Sequence, residues 1–102
     1  MNERRIELHK ILCELLGSAE VYFQPPESVK MRYPAIVYSL NNIDSQFADD
    51  KPYVINRQYA VTLIDKNPDS EFVDKLAALP SCEFVKPYKK DNLNHYLYTL
   101  YF

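Results

Sequence analysis

Two histidines, His9 and His95, two cysteines, Cys13 and Cys82, and the acids Asp44, Asp49 and Asp50 are the residues here whose types could support chemistry. A general base needs a nucleophile or an acid within hydrogen-bond reach. His9 stands beside Leu8 among Glu3, Glu7 and Lys10, the setting of a solvated helix-face histidine. His95 precedes Tyr96 and Tyr98, and no motif supplies it with a nucleophile. A small hydrolase or nuclease pairing His95 with Asp91 or the acidic segment would show metal- or pH-dependent turnover lost in His95→Ala. The acids lack the D-x-[DN]-x-[DN]-G spacing of a calcium loop and the glycine its sharp turn requires. The cysteines and histidines make no zinc-ligand spacing. Ser28, Ser39, Ser45, Ser70 and Ser81 stand outside any GxSxG elbow, and one glycine excludes phosphate-cradling loops. The expectation is a protein that is not an enzyme, with no catalytic residue, no cofactor and no metal.

Composition narrows the class. A chain of 102 residues makes one domain, 1–102, and buries roughly 65% of its unfolded surface. Hydrophobic content of 47% and charged content of 25% are ordinary for a globular protein. Nine tyrosines with no tryptophan are unusual, and tyrosine is enriched at protein interfaces. The net charge of −2 and a basic cluster limited to Lys86, Lys89 and Lys90 argue against a phosphate-tracking groove, so no specific nucleic-acid binding is expected. No apolar run is long enough to span a bilayer and no hydrophobic signal follows Asn2-Glu3-Arg4-Arg5, so no membrane partner is expected. Cys13 and Cys82 fall outside any CxxC pattern and read as structural thiols of a reducing compartment.

The elements that must position these residues follow from periodicity. Leu8, Ile11, Leu12 and Leu15 repeat at helical spacing, predicting a helix from Glu3 to Leu16 closed by Gly17, the only glycine. A short strand, Glu20 to Gln24, is cut off by Pro25-Pro26. Pro34 to Leu40 reads as an interior strand. Residues 41–55 hold turn formers around Ile43, Phe47, Ala48, Tyr53 and Val54, so this is expected to be the least regular stretch, a loop with a short strand near Ile43 to Phe47 and a tip at Asp49 to Pro52. A strand over 56–66 alternates. Asn67-Pro68 predicts a second helix running to about Leu79 and ended by Pro80. Cys82 to Tyr88 and Leu93 to Phe102 form a hairpin around 89–92. The last strand places Tyr96, Tyr98, Leu100 and Phe102 on one face and Leu93, His95, Leu97, Thr99 and Tyr101 on the other. Such a two-faced strand is central and covered on both sides, or lies at an edge that a second copy covers. The order α-β-β-(β)-β-α-β-β predicts an α+β fold, a mainly antiparallel sheet with two helices packed on one face.

Taken together, several blocks carry a resemblance. Pro25-Pro26, then Met31 to Tyr38, Ala48 to Tyr53, Tyr59 to Asp65, Asp69-Ser70, Leu79-Pro80 and Asp91 to Tyr98 resemble, in order and over nearly the whole chain, small tail-completion proteins. These are also called tail terminator, minor capsid or head–tail joining proteins of siphophages and prophages. Lys86-Pro87-Tyr88 departs from the family pattern, which has an arginine before the tyrosine. The resemblance implies a structural virion component assembled in the bacterial host cytoplasm. It implies a homo-oligomeric ring at the end of the tail tube, with the tail-tube and head-connector proteins as partners. A monomer in dilute solution is compatible with that role.

Phe47 and Tyr53 bracket a charged turn, Asp49, Asp50 and Lys51, a layout like a hot spot with a polar rim. These five, with His95, Tyr96 and Tyr98 of the closing strand, are the candidate interaction residues. The alternative class is a small adaptor, a non-enzymatic interaction module that adds a peptide strand to an exposed sheet edge and never forms rings.

Overall fold

The computed structural model describes residues 3–26, 30–48 and 51–102; for Glu3, 44–48 and 51–56 it is the course of the backbone that is described. Helix α1 (Glu3–Leu16) opens the chain, followed by β1 (Val21–Phe23), β2 (Ala35–Ala48), β3 (Lys51–Asp65), α2 (Phe72–Ala77), β4 (Cys82–Lys90) and β5 (Leu93–Tyr101). The fold is α+β, a five-stranded, mostly antiparallel sheet in the order β1-β2-β3-β5-β4. Among the described residues only the β1–β2 pair is parallel.

Alternation fixes which face is dry. Ile36, Tyr38, Tyr59, Val61, Leu63, Tyr98 and Leu100 are buried from the sheet, and Leu8, Leu12 and Leu16 of α1 with Leu76 of α2 close over them. Both helices therefore serve one face, as the apolar spacing requires. Each fully buried leucine contributes on the order of 1.5–3 kcal/mol of apolar burial. Gly17 takes φ +74°, and its N–H donates to the carbonyl of Cys13 at 2.9 Å, the left-handed helix end expected of it.

Three local outcomes differ from the sequence expectation. Residues 41–55 are not mainly loop: β2 and β3 run unbroken to Ala48 and from Lys51, paired from Ala35↔Ile64 to Ala48↔Lys51. The expected short strand near Ile43 to Phe47 is the outer half of β2. Asn41, Asn42, Asp44 and Ser45 are turn formers locally, but backbone pairing across a hairpin overrides weak single-residue preference. Asn41 is the extra residue of a β-bulge between Leu40↔Tyr59 and Asn42↔Gln58. Asp49 and Asp50 lie outside the described residues.

The second helix also starts later than Asn67-Pro68 predicts. The Asp65 carboxylate accepts from the Asn67 N–H at 3.1 Å, and the Asn67 side chain accepts from the Asp69 N–H at 3.0 Å. These local turns consume the cap that a helix would have used. The Ser70 hydroxyl accepts from the Phe72 N–H at 3.3 Å where α2 begins. The third difference concerns His9 and belongs with the site below.

The β4–β5 hairpin turns on Asp91 and Asn92, with φ 53° and 61°, the left-handed pair of a two-residue type I′ turn. β5 is an interior strand between β3 and β4. Strand β4 is an edge, bulged at Val85 and interrupted as a donor by Pro87. Beyond the partners of β1 and β5, Ile43–Ala48 and Lys51–Arg57 pair along β2 and β3 only with each other among the described residues. This two-stranded arm stretches the molecule to 51 Å against 24 and 23 Å in the other directions. The radius of gyration, 14.7 Å, accordingly exceeds the ~13 Å of a compact chain this long.

Candidate functional site

Elementary chemistry is already spoken for at both histidines. His95, on β5, is buried; its Nδ1–H donates to the Leu93 carbonyl at 3.0 Å and its ring stacks on Tyr88, 4.7 Å between centroids and 18° between planes. No carboxylate or hydroxyl bonds it among the described residues. His9 is not a solvated helix-face residue: its Nδ1 and the Tyr38 hydroxyl share a hydrogen bond of 2.8 Å, and that hydroxyl accepts from Arg5 at 3.3 Å. Helix α1 turns this face onto Tyr38, which is fully buried, so the imidazole is drawn into the packing. Burial, and then the Arg5 charge, lower the His9 pKa from its usual value, while burial raises that of Tyr38.

The thiols are likewise quiet. Cys13 and Cys82 are half-buried against the core. Burial raises the pKa of Cys13, and burial followed by the neighbouring Glu83 pushes Cys82 up to about 11. Neither carries the lowered pKa of a reactive cysteine. Among the described residues no cluster of three or more His, Cys, Asp or Glu could hold a metal ion. No helix there is long and apolar enough to cross a membrane.

The remaining candidates divide between core and surface. Tyr98 is fully buried, donates its hydroxyl to the Val73 carbonyl at 2.8 Å, and has its pKa pushed to about 12 by burial. Its contacts are intramolecular: it ties α2 to the sheet. Tyr96, half-buried, reaches the Pro68 carbonyl at 3.0 Å and braces the turn before α2. Phe47 pairs with Pro52 and Ala48 with Lys51 across the arm, and Tyr53 is the extra residue of a second bulge. Phe47, Lys51 and Tyr53 thus share one arm, at the opposite end of β3 from Ile64, the register partner of His95.

A surface that sequence reading left without residues is the sheet face opposite the helices. Register and alternation put Val37, Ser39, Ala60, Thr62, Leu97 and Thr99 there, all partly exposed and none charged. Tyr22, Tyr88 and Tyr101 rim it. At its arm end Asn41 donates to Gln58 at 2.9 Å and Gln58 to the Tyr101 hydroxyl at 2.9 Å. Tyr22 donates its hydroxyl to Glu20, which lowers the Glu20 pKa. The signal available in sequence was the absence of Lys, Arg, Asp or Glu at those six alternating positions.

A cleft of about 310 Å³ on the helix side lies between α1 and the chain end, lined mainly by Leu8, Ile11, Leu79, Leu100 and Phe102. Arg4 stands at its rim, donating to the Phe102 carbonyl at 3.1 Å with its guanidinium 4.6 Å from the Phe102 ring centre. Arg4 and Tyr101 are the titratable side chains in its lining. No protein-family model, curated protein or solved structure matches the chain.

Proposed function

We propose that the protein is a structural component of phage or prophage morphogenesis, a tail-completion or head–tail joining protein. It acts by assembling as a ring at the end of the tail tube, between the tube and the head connector. The observation that carries the reading is the pairing of a half-covered sheet with a projecting two-stranded arm, since a ring needs two different surfaces on each subunit. The ordered blocks from Pro25-Pro26 to Asp91–Tyr98 supply the family direction. The histidines and thiols already satisfied inside the fold support a docking role over turnover.

Electron microscopy of tails assembled with and without the protein tests this. The expected outcome is tube ends that carry an extra ring of density and join heads when the protein is present. Without it, tubes of irregular length that fail to join heads are expected. Tails identical in length and head attachment in both preparations would overturn the proposal.

A further inference from the structure

Among the described residues, two parts lack a covering layer. One is the middle of the sheet face opposite the helices, where Val37, Ser39, Ala60, Thr62, Leu97 and Thr99 are partly exposed and uncharged, whereas Ala35, Ile64 and His95 at its far end are buried. The other is the arm, a two-stranded ribbon, and such ribbons are marginal in water without a third layer. Five of its residues, Ile43, Phe47, Tyr53, Val54 and Ile55, are large and apolar, and Ile43 is 44% exposed. Arm and sheet share the strands β2 and β3, and the 51 Å long axis has the arm extending away from the sheet rather than lying over it.

We propose that the arm of one copy lies across the open sheet face of a second copy, head to tail. The inference rests on the ring reading and names the contact that reading would use. Charge supports the pairing. Segment 43–57 carries Asp44, Asp49 and Asp50 against Lys51 and Arg57, a net of −1. Strand β4, which borders the open face, places Lys86 and Lys90 on that face against Glu83, a net of +1. Two layers of strand pack ~10 Å apart over small and apolar side chains, and Ala60, Ser39 and Thr62 leave room for the ribbon's larger ones. A ribbon of this size covers an area roughly 10 by 20 Å, at the small end for a specific contact. A single contact is therefore weak, and a subunit in a closed ring makes two of them, one with its arm and one with its face.

Complementary halves test the contact. Thr62→Glu places a carboxylate at the centre of the face; replacing 43–57 by Asn-Gly removes the arm. Ala60→Lys and Ile43→Lys serve as second variants should either fail to fold. Sedimentation velocity from about 10 μM to about 1 mM spans the range in which a small contact is populated. Wild-type chain is expected to associate with rising concentration, and each variant alone to remain monomeric. An equimolar mixture of a face variant and an arm variant should give a 1:1 heterodimer and nothing larger, because only one intact contact remains. A wild-type chain still monomeric at the top concentration overturns the proposal. So does an arm-shortened chain that associates like wild type, or a mixture that stays monomeric while wild type associates. Wild-type rings that survive arm shortening would sink this contact and leave ring assembly standing. A heterodimer formed by a protein whose removal leaves tails unchanged would do the reverse.

Discussion

The Tyr98 hydroxyl donates to the carbonyl of Val73 at 2.8 Å, across the interface between β5 and α2. Helix α2 has six residues, too few to be stable alone, so its position depends on such ties to the sheet. Tyr98→Phe keeps the ring and loses the bond, and is expected to cost about 1 kcal/mol. Tyr98→Ala removes a fully buried aromatic and should cost about 3–5 kcal/mol. Urea unfolding of both variants separates the two contributions; equal losses would mean the hydroxyl, not the ring, holds the helix.

Stability should depend on pH through His9. Its folded pKa lies below the usual 6.5, because burial and Arg5 disfavour the imidazolium. Above 6.5 the residue is neutral in both states and its favourable contact with Tyr38 is intact. As pH falls below 6.5 the unfolded chain takes up a proton that the folded chain refuses, so stability drops until the folded pKa is passed. Denaturation midpoints measured between pH 7.5 and 5 should fall, and His9→Phe should flatten that slope. An unchanged slope in the variant would assign the effect to other groups.

Alkylation should find Cys82 slow to react. With its pKa near 11, the thiolate fraction at pH 8 is about one in a thousand. Iodoacetamide labelling followed by mass spectrometry should show rapid modification only after denaturation. Quick native labelling at Cys82 would contradict the half-buried placement.

The turn between β4 and β5 gives a backbone prediction. Asn92 sits at φ 61°, where an alanine side chain meets its own carbonyl. Asn92→Ala should destabilise by about 1 kcal/mol and Asn92→Gly by little or nothing, read from thermal unfolding.

Periodicity located much of this fold because its signals are local. The leucine stripe and Gly17 bound α1 at Glu3 and Leu16, and alternation in Leu93 to Tyr101 described a strand apolar on both sides. That strand proves interior in the sheet, closed over by the helices on one face and half-buried on the other, where His95 packs under Tyr88, a distinction that depends on distant partners. The arm was hidden for the same reason: Asn41, Asn42 and Asp44 look like loop residues until Gln58, Arg57 and Asn56 stand opposite them. His9 was misread because its partner, Tyr38, is 29 residues away. The open face escaped notice because its signal is a lack of charge, which no motif records.

Strand β4 has one further consequence. Its outer rim carries Val85 as a bulge, Pro87 without an N–H, and Lys86, Lys89 and Lys90. A bare rim of this length would otherwise template runaway stacking of chain on chain into amyloid-like fibrils. With that rim blunted, addition of a further strand along β4 is disfavoured.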